Sequence, residues 1–263
     1  MVQELKKVLI AIILVLSMIP FLAVAHPVAA LVMRAPAPQQ GKAIILSSIN
    51  QIFPLGYYET YMALRLKQAG YATTFLADRN VTVDFLVTQL NNYDIVIWRT
   101  NTYTWNHEVY FYVGEMVNGA TEQKYATDFS QGWINGNAGI FGITKEFINE
   151  HFTAGTLSNV KLMILISSHS SDFGPTMVTA GASSVIFCNG VINIGFGLMD
   201  DLTSQLVDYL ASGMNVYNAV FDSVNYLNNQ AGQQDQLRSN IDDAYTPPFW
   251  FAGSSSLTIA SSY

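Results

Sequence analysis

The fold class of this chain is decided by VKLMILISSHSSDFGPTMVTAGASSVIF (160–187) and by its continuation GLMDDLTSQLVDYLASGMNVYNAVF (197–221). Two apolar runs in the first segment are bounded by turn residues. They predict strands over 160–167 and 183–188 that are covered on both faces. A small helix ending at Gly181 is predicted between these strands, and two helices are predicted after the second one.

A short polar turn, SSHSS (167–171), follows the first of these two strands. In sheets of parallel strands covered by helices, ligands bind and chemistry takes place at the carboxyl ends of the strands. This turn is therefore the first place to look for a functional site.

The residues before this stretch alternate between predicted strands and predicted helices. Strands are predicted over 42–48, 71–76 and 93–98, and helices over 56–68 and 81–90. Such alternation favours right-handed crossover connections and a parallel sheet. We therefore predict an α/β fold, a three-layer α/β/α sandwich with a mostly parallel sheet.

Residues 104–143 break this alternation. Aromatic β-forming residues alternate in HEVYFYVG (107–114), and residues 137–143 are rich in glycine. These features predict a β-hairpin insertion that lies over the site. A short helix is predicted to follow over 145–152.

The C-terminal part of the chain continues the same domain. A helix is predicted over 216–228, and residues 231–244 are polar with few apolar side chains. We interpret PPFWF (247–251) as an aromatic plug that packs back on the domain. Because no internal repeat or second domain is visible, residues 42–263 are predicted to form one domain.

The composition argues against several classes of partner and cofactor. The formal net charge is −7 and no basic patch is visible, which argues against a nucleic-acid partner. A single cysteine, Cys188, excludes an intrachain disulfide framework and a cysteine-rich metal site. The histidines His107, His151 and His169 lack the short spacing typical of zinc ligands. We predict neither a bound metal nor a cofactor.

The N-terminus has the features of an export signal. A basic start precedes a long apolar run, and small-residue triplets ending at Ala25 and Ala30 fit signal-peptidase sites. We predict a cleaved signal peptide over 1–30 and a linker over 31–41; an uncleaved N-terminal membrane anchor is the alternative. Both place the domain in the extracellular space or at the cell surface, where the sequon at Asn80 is a glycosylation acceptor if the host glycosylates.

Several pieces of the chain together match the pattern of a known family. They are MILISSH (163–169), AGASSVI (180–186), Asp200, GMNVYNAV (213–220) and the upstream strand YDIVIW (93–98). In these pieces the chain resembles the caspase-like fold, in the branch that contains the gingipain-type (C25) and CHAT-type peptidases. The resemblance implies a cysteine nucleophile and a catalytic histidine on adjacent strand ends, with an insertion after the histidine strand.

The residues at the two catalytic positions do not fit that chemistry. The resemblance places Ser168 or His169 where the nucleophile belongs, and Asn101 where the histidine belongs. An asparagine cannot transfer a proton, and a serine hydroxyl without a general base is a poor nucleophile. A relocated dyad is the alternative, with Cys188 or Ser168 as the nucleophile and His169 or His107 as the base.

Two further features bear on ligand binding. Asp200 falls at a predicted helix start, where a carboxylate caps the helix, and the resemblance also implies an acidic residue there that shapes a pocket for a basic side chain. Aromatic and amide side chains cluster just after Asn101, and they either fill the core under the hairpin or bind glycans or peptides. These side chains are Tyr103, Trp105, Asn106, Tyr110, Tyr112 and Asn118.

The sequence thus predicts an exported, catalytically degenerate caspase-like domain. We expect it to bind a peptide or protein ligand through Asn101, Ser168 and Asp200. Two alternatives stay open: an active cysteine or serine endopeptidase with a relocated dyad, and an extracellular α/β domain that binds a solute or a glycan.

Overall fold

A six-stranded, mostly parallel β-sheet forms the centre of the protein, as a computed structural model shows. The structure describes residues 39–54, 57–188, 196–229 and 249–260. The strands, numbered along the chain, are β1 (Gly41–Ser47), β2 (Tyr71–Ala77), β3 (Ile95–Arg99), β4 (Thr102–Trp105), β5 (Glu108–Met116), β6 (Ile134–Asn137), β7 (Ile140–Ile143), β8 (Leu162–Ile166), β9 (Ser184–Cys188) and β10 (Phe249–Gly253). The central sheet has the order β10-β9-β8-β3-β1-β2, and β10 alone runs antiparallel to its neighbour.

Helices cover both faces of this sheet. The helices of the described residues are α1 (Tyr58–Gln68), α2 (Val83–Gln89), α3 (Gly119–Lys124), α4 (Ala126–Ser130), α5 (Lys145–His151), α6 (Gly174–Thr179), α7 (Phe196–Ala211) and α8 (Val216–Asn229). Buried side chains of α1, α7 and α8 form one core with the first face, and those of α2, α5 and α6 form a second core with the other face. The predicted three-layer α/β/α arrangement is confirmed.

The middle strands carry apolar side chains on both faces. Every residue of β3 (IVIWR), β8 (LMILI) and β9 (SVIFC) is buried. Because side chains alternate along a strand, Ile164 and Ile166 enter the first core while Met163 and Leu165 enter the second. Strands covered on both faces therefore read as continuous apolar runs, which is why the sequence reveals them.

A second, antiparallel sheet follows β3 directly and has the order β4-β5-β7-β6. Strands β4 and β5 form a hairpin whose two turn residues, Asn106 and His107, have φ angles of 50° and 68°. Positive φ at both positions is the conformation that fits the twist of a two-residue hairpin. The predicted insertion is thus present, but it is larger than one hairpin, since it contains four strands and the helices α3 and α4.

The predicted aromatic plug at 247–251 is wrong in form. From Phe249 onward the chain forms β10, which pairs antiparallel with β9 from Phe249–Cys188 to Gly253–Ser184. The expected packing on the domain holds for Phe249, which is buried in the first core, whereas Trp250 is 47% exposed. A proline pair before the aromatic run hid the strand, because proline is unfavourable inside a sheet.

Several predicted segments lie outside the described residues. These are the signal peptide (1–30), most of the linker (31–41) and the polar segment (231–244). The last linker residue, Gly41, already belongs to β1. Among the helices of the described part of the chain, none has the length and apolar character needed to cross a bilayer.

Candidate functional site

The candidate site lies where β3 and β8 end side by side. These two strands are parallel neighbours, and Arg99 at the end of β3 pairs with Ile166 at the end of β8. The Thr100 amide continues the ladder by donating to the Ile166 carbonyl at 3.0 Å. Two residues beyond each strand end stand Asn101 and Ser168, both half-buried. The prediction that these two strand ends are neighbours is confirmed.

Asn101 is tied into the start of the insertion. Its side-chain Oδ1 accepts a hydrogen bond from the Thr102 amide at 2.9 Å, and its carbonyl accepts one from the Tyr112 amide at 3.0 Å. The next residue reaches across to β8, since the Thr102 hydroxyl donates to the Ser168 carbonyl at 3.1 Å. The antiparallel sheet is therefore anchored directly on the two strand ends.

The turn after β8 is shaped by Ser170, a residue that the sequence did not single out. Its buried hydroxyl accepts a hydrogen bond from the Cys188 amide at 2.7 Å and lies 2.9 Å from the Ser167 carbonyl, to which it can donate. His169 just before it has φ 54° and ψ 20°, in the left-handed region. Ser170 thus pins the turn to β9, while Ser168 and His169 stay half-buried at the edge.

Cys188, a candidate nucleophile, ends β9 in the first core. It is fully buried, and its Sγ lies 3.6 Å from the Leu165 carbonyl. Burial raises the pKa of the Cys188 thiol to about 12, with smaller opposing contributions from hydrogen bonds of Ser167 and Ser170. A thiol is nucleophilic as the thiolate, so this cysteine is inert in the observed conformation.

His107, a candidate base, lies at the far end of a hairpin. It occupies the tip of the β4–β5 turn and is exposed. The strand β4 separates it from Asn101, which at about 3.3 Å per residue holds the two roughly 15 Å or more apart. The fold therefore does not bring His107 back to the strand ends.

Asp200 has a different role from the predicted helix cap. Both of its carboxylate oxygens accept hydrogen bonds from Arg99, from Nε at 2.7 Å and from Nη2 at 2.9 Å. Burial raises the pKa of Asp200 and the Asp201 charge adds to this, whereas Arg99 acts in the opposite direction and does not outweigh them. The carboxylate that the resemblance assigned to a ligand pocket is thus held by an arginine of this chain.

Arg99 was missed by sequence reasoning although it left a signal. It ends the strand IVIWR and its side chain is 1% exposed. Its Nη1 donates to the Phe53 carbonyl at 3.0 Å and lies 3.4 Å from the Ser47 hydroxyl. A charged residue at the end of a fully buried strand needs a counter-ion nearby. This rule could have been used to predict a carboxylate near the carboxyl edge.

The tyrosines of the insertion pack on one another. The Tyr103 ring lies 5.1 Å from that of Tyr110 and 4.8 Å from that of Tyr112. Their hydroxyls bond within the insertion: Tyr103 donates to the Asn135 carbonyl and Tyr110 to the Gly132 carbonyl. Of the two readings of this cluster, the geometry matches core filling, while Trp105 nearby is 57% exposed.

The amino edge of the sheet holds a polar groove of about 630 Å³. Asp94 lies in its wall, where it accepts a hydrogen bond from the Lys42 amide at 2.9 Å and forms an ion pair with Lys161 at 2.8 Å. The lining of the groove includes amide side chains, two serines, two lysines and Tyr93.

The described part of the chain brings together no group of three potential metal ligands. Comparison with known protein families finds none that matches this chain, and comparison with curated proteins finds no relative. The structure therefore establishes an α/β protein with a six-stranded, mostly parallel sheet and a small, curled antiparallel sheet.

Proposed function

We propose that this chain is an exported domain of the caspase-like, gingipain-type architecture that has lost its catalytic dyad. In this proposal the domain binds a peptide or protein ligand at the carboxyl edge of its sheet and acts at the cell surface. Two features of the fold support it: the strands leading to Asn101 and Ser168 are adjacent, and an antiparallel insertion begins directly after the first of them.

The observation that carries the proposal is the identity of the two residues at the neighbouring strand ends. An asparagine and a serine stand where a histidine and a cysteine would have to meet. Asn101 cannot accept or release a proton in the reaction, and it contributes an amide that can hydrogen-bond to a ligand backbone. The half-buried positions of Asn101 and Ser168 leave both accessible at this edge.

The competing reading, an active peptidase with a relocated dyad, requires a reactive nucleophile. Incubation of the folded protein with a thiol-directed and a serine-directed covalent probe tests this. We expect no labelling of Ser168, and labelling of Cys188 only after denaturation, because the thiol is fully buried. Native labelling of either residue that disappears in His169→Ala or His107→Ala would establish an active peptidase instead.

Binding is tested with a displayed library of random peptides and, in parallel, a glycan array. We expect peptides to be selected, and the variants Asn101→Ala and Ser168→Ala to weaken their binding. Ser130→Ala, on an exposed turn of the insertion at the end of α4, is the matched control and is expected to bind normally. Selection of glycans with no selected peptide would favour the glycan-binding alternative.

A further inference from the structure

Arg99 joins three separate elements at the carboxyl edge. From the end of β3 it reaches Asp200 on α7, the Ser47 hydroxyl at the end of β1, and the Phe53 carbonyl. The exposed fractions of the Arg99 and Asp200 side chains are 1% and 13%. A buried, bidentate pair of this kind has a fixed geometry, so it sets the distance between the elements that it joins.

One of those elements is the β1 loop, which we define as residues 48–54. The Ser48 amide donates to the Arg99 carbonyl at 3.1 Å, and the Gln51 amide donates to Asp78 Oδ1 at 2.8 Å. The loop exposes apolar surface at the edge, since Ile52 is 60% and Phe53 is 37% exposed. The contact between the Arg99 side chain and the Phe53 carbonyl is one of the hydrogen bonds that position this surface.

We propose that Arg99 and Asp200 form a pH-sensitive latch that holds the β1 loop at neutral pH and releases it when Asp200 takes up a proton. A protonated carboxyl loses its charge and one of its two acceptor positions, so it cannot hold the guanidinium with both oxygens. The hold of Asp200 on the Arg99 side chain is then weaker, and the contact between Arg99 and the Phe53 carbonyl loses this support. The latch goes beyond the proposed binding function and does not depend on it.

Of the titratable groups described around the latch, Asp200 is the one that we expect to change its protonation between neutral pH and pH 4. Among the described residues, Arg99 and Asp201 are the charged groups that act on Asp200. Asp200 in turn acts on Tyr57 and Tyr58, and Cys188 acts on Tyr58. The hydrogen bond to Asp201 raises the pKa of Tyr57 to about 12, and burial raises that of Tyr58 well above its usual range. With the buried Cys188 thiol also near 12, these three stay uncharged in acid and at neutral pH.

Release of the latch is compatible with a folded domain because of the sign of the Asp200 shift. Its folded-state pKa lies above the ordinary value of 3.8, so between these two values the folded protein binds the proton more readily than the unfolded chain. In that window this group lowers the stability of the fold as the pH rises, and raises it as the pH falls. Protonation of Asp200 can therefore weaken its contact with Arg99 without lowering the free energy of unfolding of the whole domain.

Amide hydrogen exchange of the β1 loop tests the latch. Exchange rates of Gln51, Ile52 and Phe53, corrected for the intrinsic pH dependence, are followed by NMR from pH 7 to pH 4. We expect protection to fall about tenfold or more across the transition, as for a local opening within a folded domain. The carboxyl carbon of Asp200, observed in the same samples, is expected to titrate with the same midpoint.

Variants separate Asp200 from the other acidic group that touches the loop. Asp200→Asn, which cannot ionise, is expected to leave the loop unprotected at every pH. Asp78 accepts a hydrogen bond from the Gln51 amide, and Asp208 accepts one from Arg65 on α1. The variants Asp78→Asn and Asp208→Asn are expected to retain the acid transition.

Two results would overturn the latch: an Asp200→Asn loop that stays protected at neutral pH, or loss of the transition in Asp78→Asn alone. If Asp200→Asn does not fold, the wild-type protein decides the question. Unequal midpoints for the Asp200 carboxyl and the loop amides would then refute the latch, and equal midpoints together with a transition retained in Asp78→Asn would support it.

Discussion

Each end of the central sheet has an aspartate in an ion pair, but the two pairs differ in their exposure to solvent. At each end an aspartate is paired with a cation that is distant in sequence. At the amino edge Asp94 pairs with Lys161, and their side chains are 24% and 49% exposed. At the carboxyl edge Asp200 pairs with Arg99, and their side chains are 13% and 1% exposed.

This difference in solvent contact reverses the sign of the pKa shift. Burial raises the pKa of Asp94, but hydrogen bonds from Lys161 and from the Lys42 amide together outweigh it, so the pKa lies below its ordinary value. At Asp200 burial outweighs the attraction of Arg99. An ion pair near water thus stabilises its carboxylate, while a buried pair keeps a desolvation cost that its partner does not fully offset.

The largest effect is expected from removing the buried cation. Arg99→Met leaves the Asp200 carboxylate desolvated without its partner, and we expect a loss of about 3–5 kcal/mol in the free energy of unfolding. Urea denaturation at pH 7 measures it. Arg65→Met is the matched control, since Arg65 on α1 also pairs with an aspartate of α7, Asp208, but the two side chains are 27% and 19% exposed. Equal losses of unfolding free energy in the two variants would show that burial of the Arg99–Asp200 pair does not increase the cost of removing its cation.

A methyl group at the amino edge is expected to have the next largest effect. In Gly41→Ala the new Cβ would lie 2.2 Å from Asp94 Oδ2, so the carboxylate must leave its partners. We expect a loss of about 2 kcal/mol in the free energy of unfolding. Gly119→Ala, where the added Cβ meets nothing within 4 Å, is the control. A Gly41→Ala protein as stable as wild type would show that Asp94 is dispensable.

Asp94→Asn tests the sign of the shift at the amino edge. A lowered pKa means that the stabilisation is present above the ordinary value of 3.8 and is lost as the pH falls through the folded-state pKa. We expect a loss of about 1.5 kcal/mol at pH 7, from hydrogen bonds to a charged group, that shrinks in acid. Unfolding in urea at pH 7 and pH 3 measures both values. Exposed Asp172→Asn is the control, and a loss that persists at pH 3 would contradict the argument.

The smallest effect is expected from the exposed cation. Lys161→Met removes an ion pair in which the lysine side chain is 49% exposed, and such pairs contribute less than about 0.5 kcal/mol. Repeating the unfolding measurement in high salt sharpens the result, because screening removes what remains of the difference. A loss as large as that of Asp94→Asn would show that the lysine, and not the backbone amide, holds Asp94.

Most of the sheet could be predicted because local patterns report burial. Runs such as LMILI and IVIW are apolar at consecutive positions, which indicates strands covered on both faces. The neighbouring ends of β3 and β8 were also predictable, but from the resemblance rather than from periodicity. Strand β10 was not, since its pairing with β9 joins residues about sixty positions apart and two prolines precede it.

The site shows the same division. The turn at 167–171 was found because a polar segment follows a buried strand, while the anchoring role of Ser170 depends on the Cys188 amide 18 residues away. The turn consists of four serines and one histidine in a row, whose local sequence signals are alike, and only the tertiary structure distinguishes Ser170, which contacts β9.

The sequence by itself determined the α/β class, the position of most strands and helices, and the presence of polar residues, among them Asn101 and Ser168, directly after two buried strands. The tertiary structure alone decided that Asp200 belongs to Arg99, a residue 101 positions away, and that Cys188 is sealed in the core. The physical reason is the sequence separation of the interacting residues. The periodicity of apolar residues is visible among close neighbours in the sequence, whereas ion pairs and desolvation depend on which distant elements pack together.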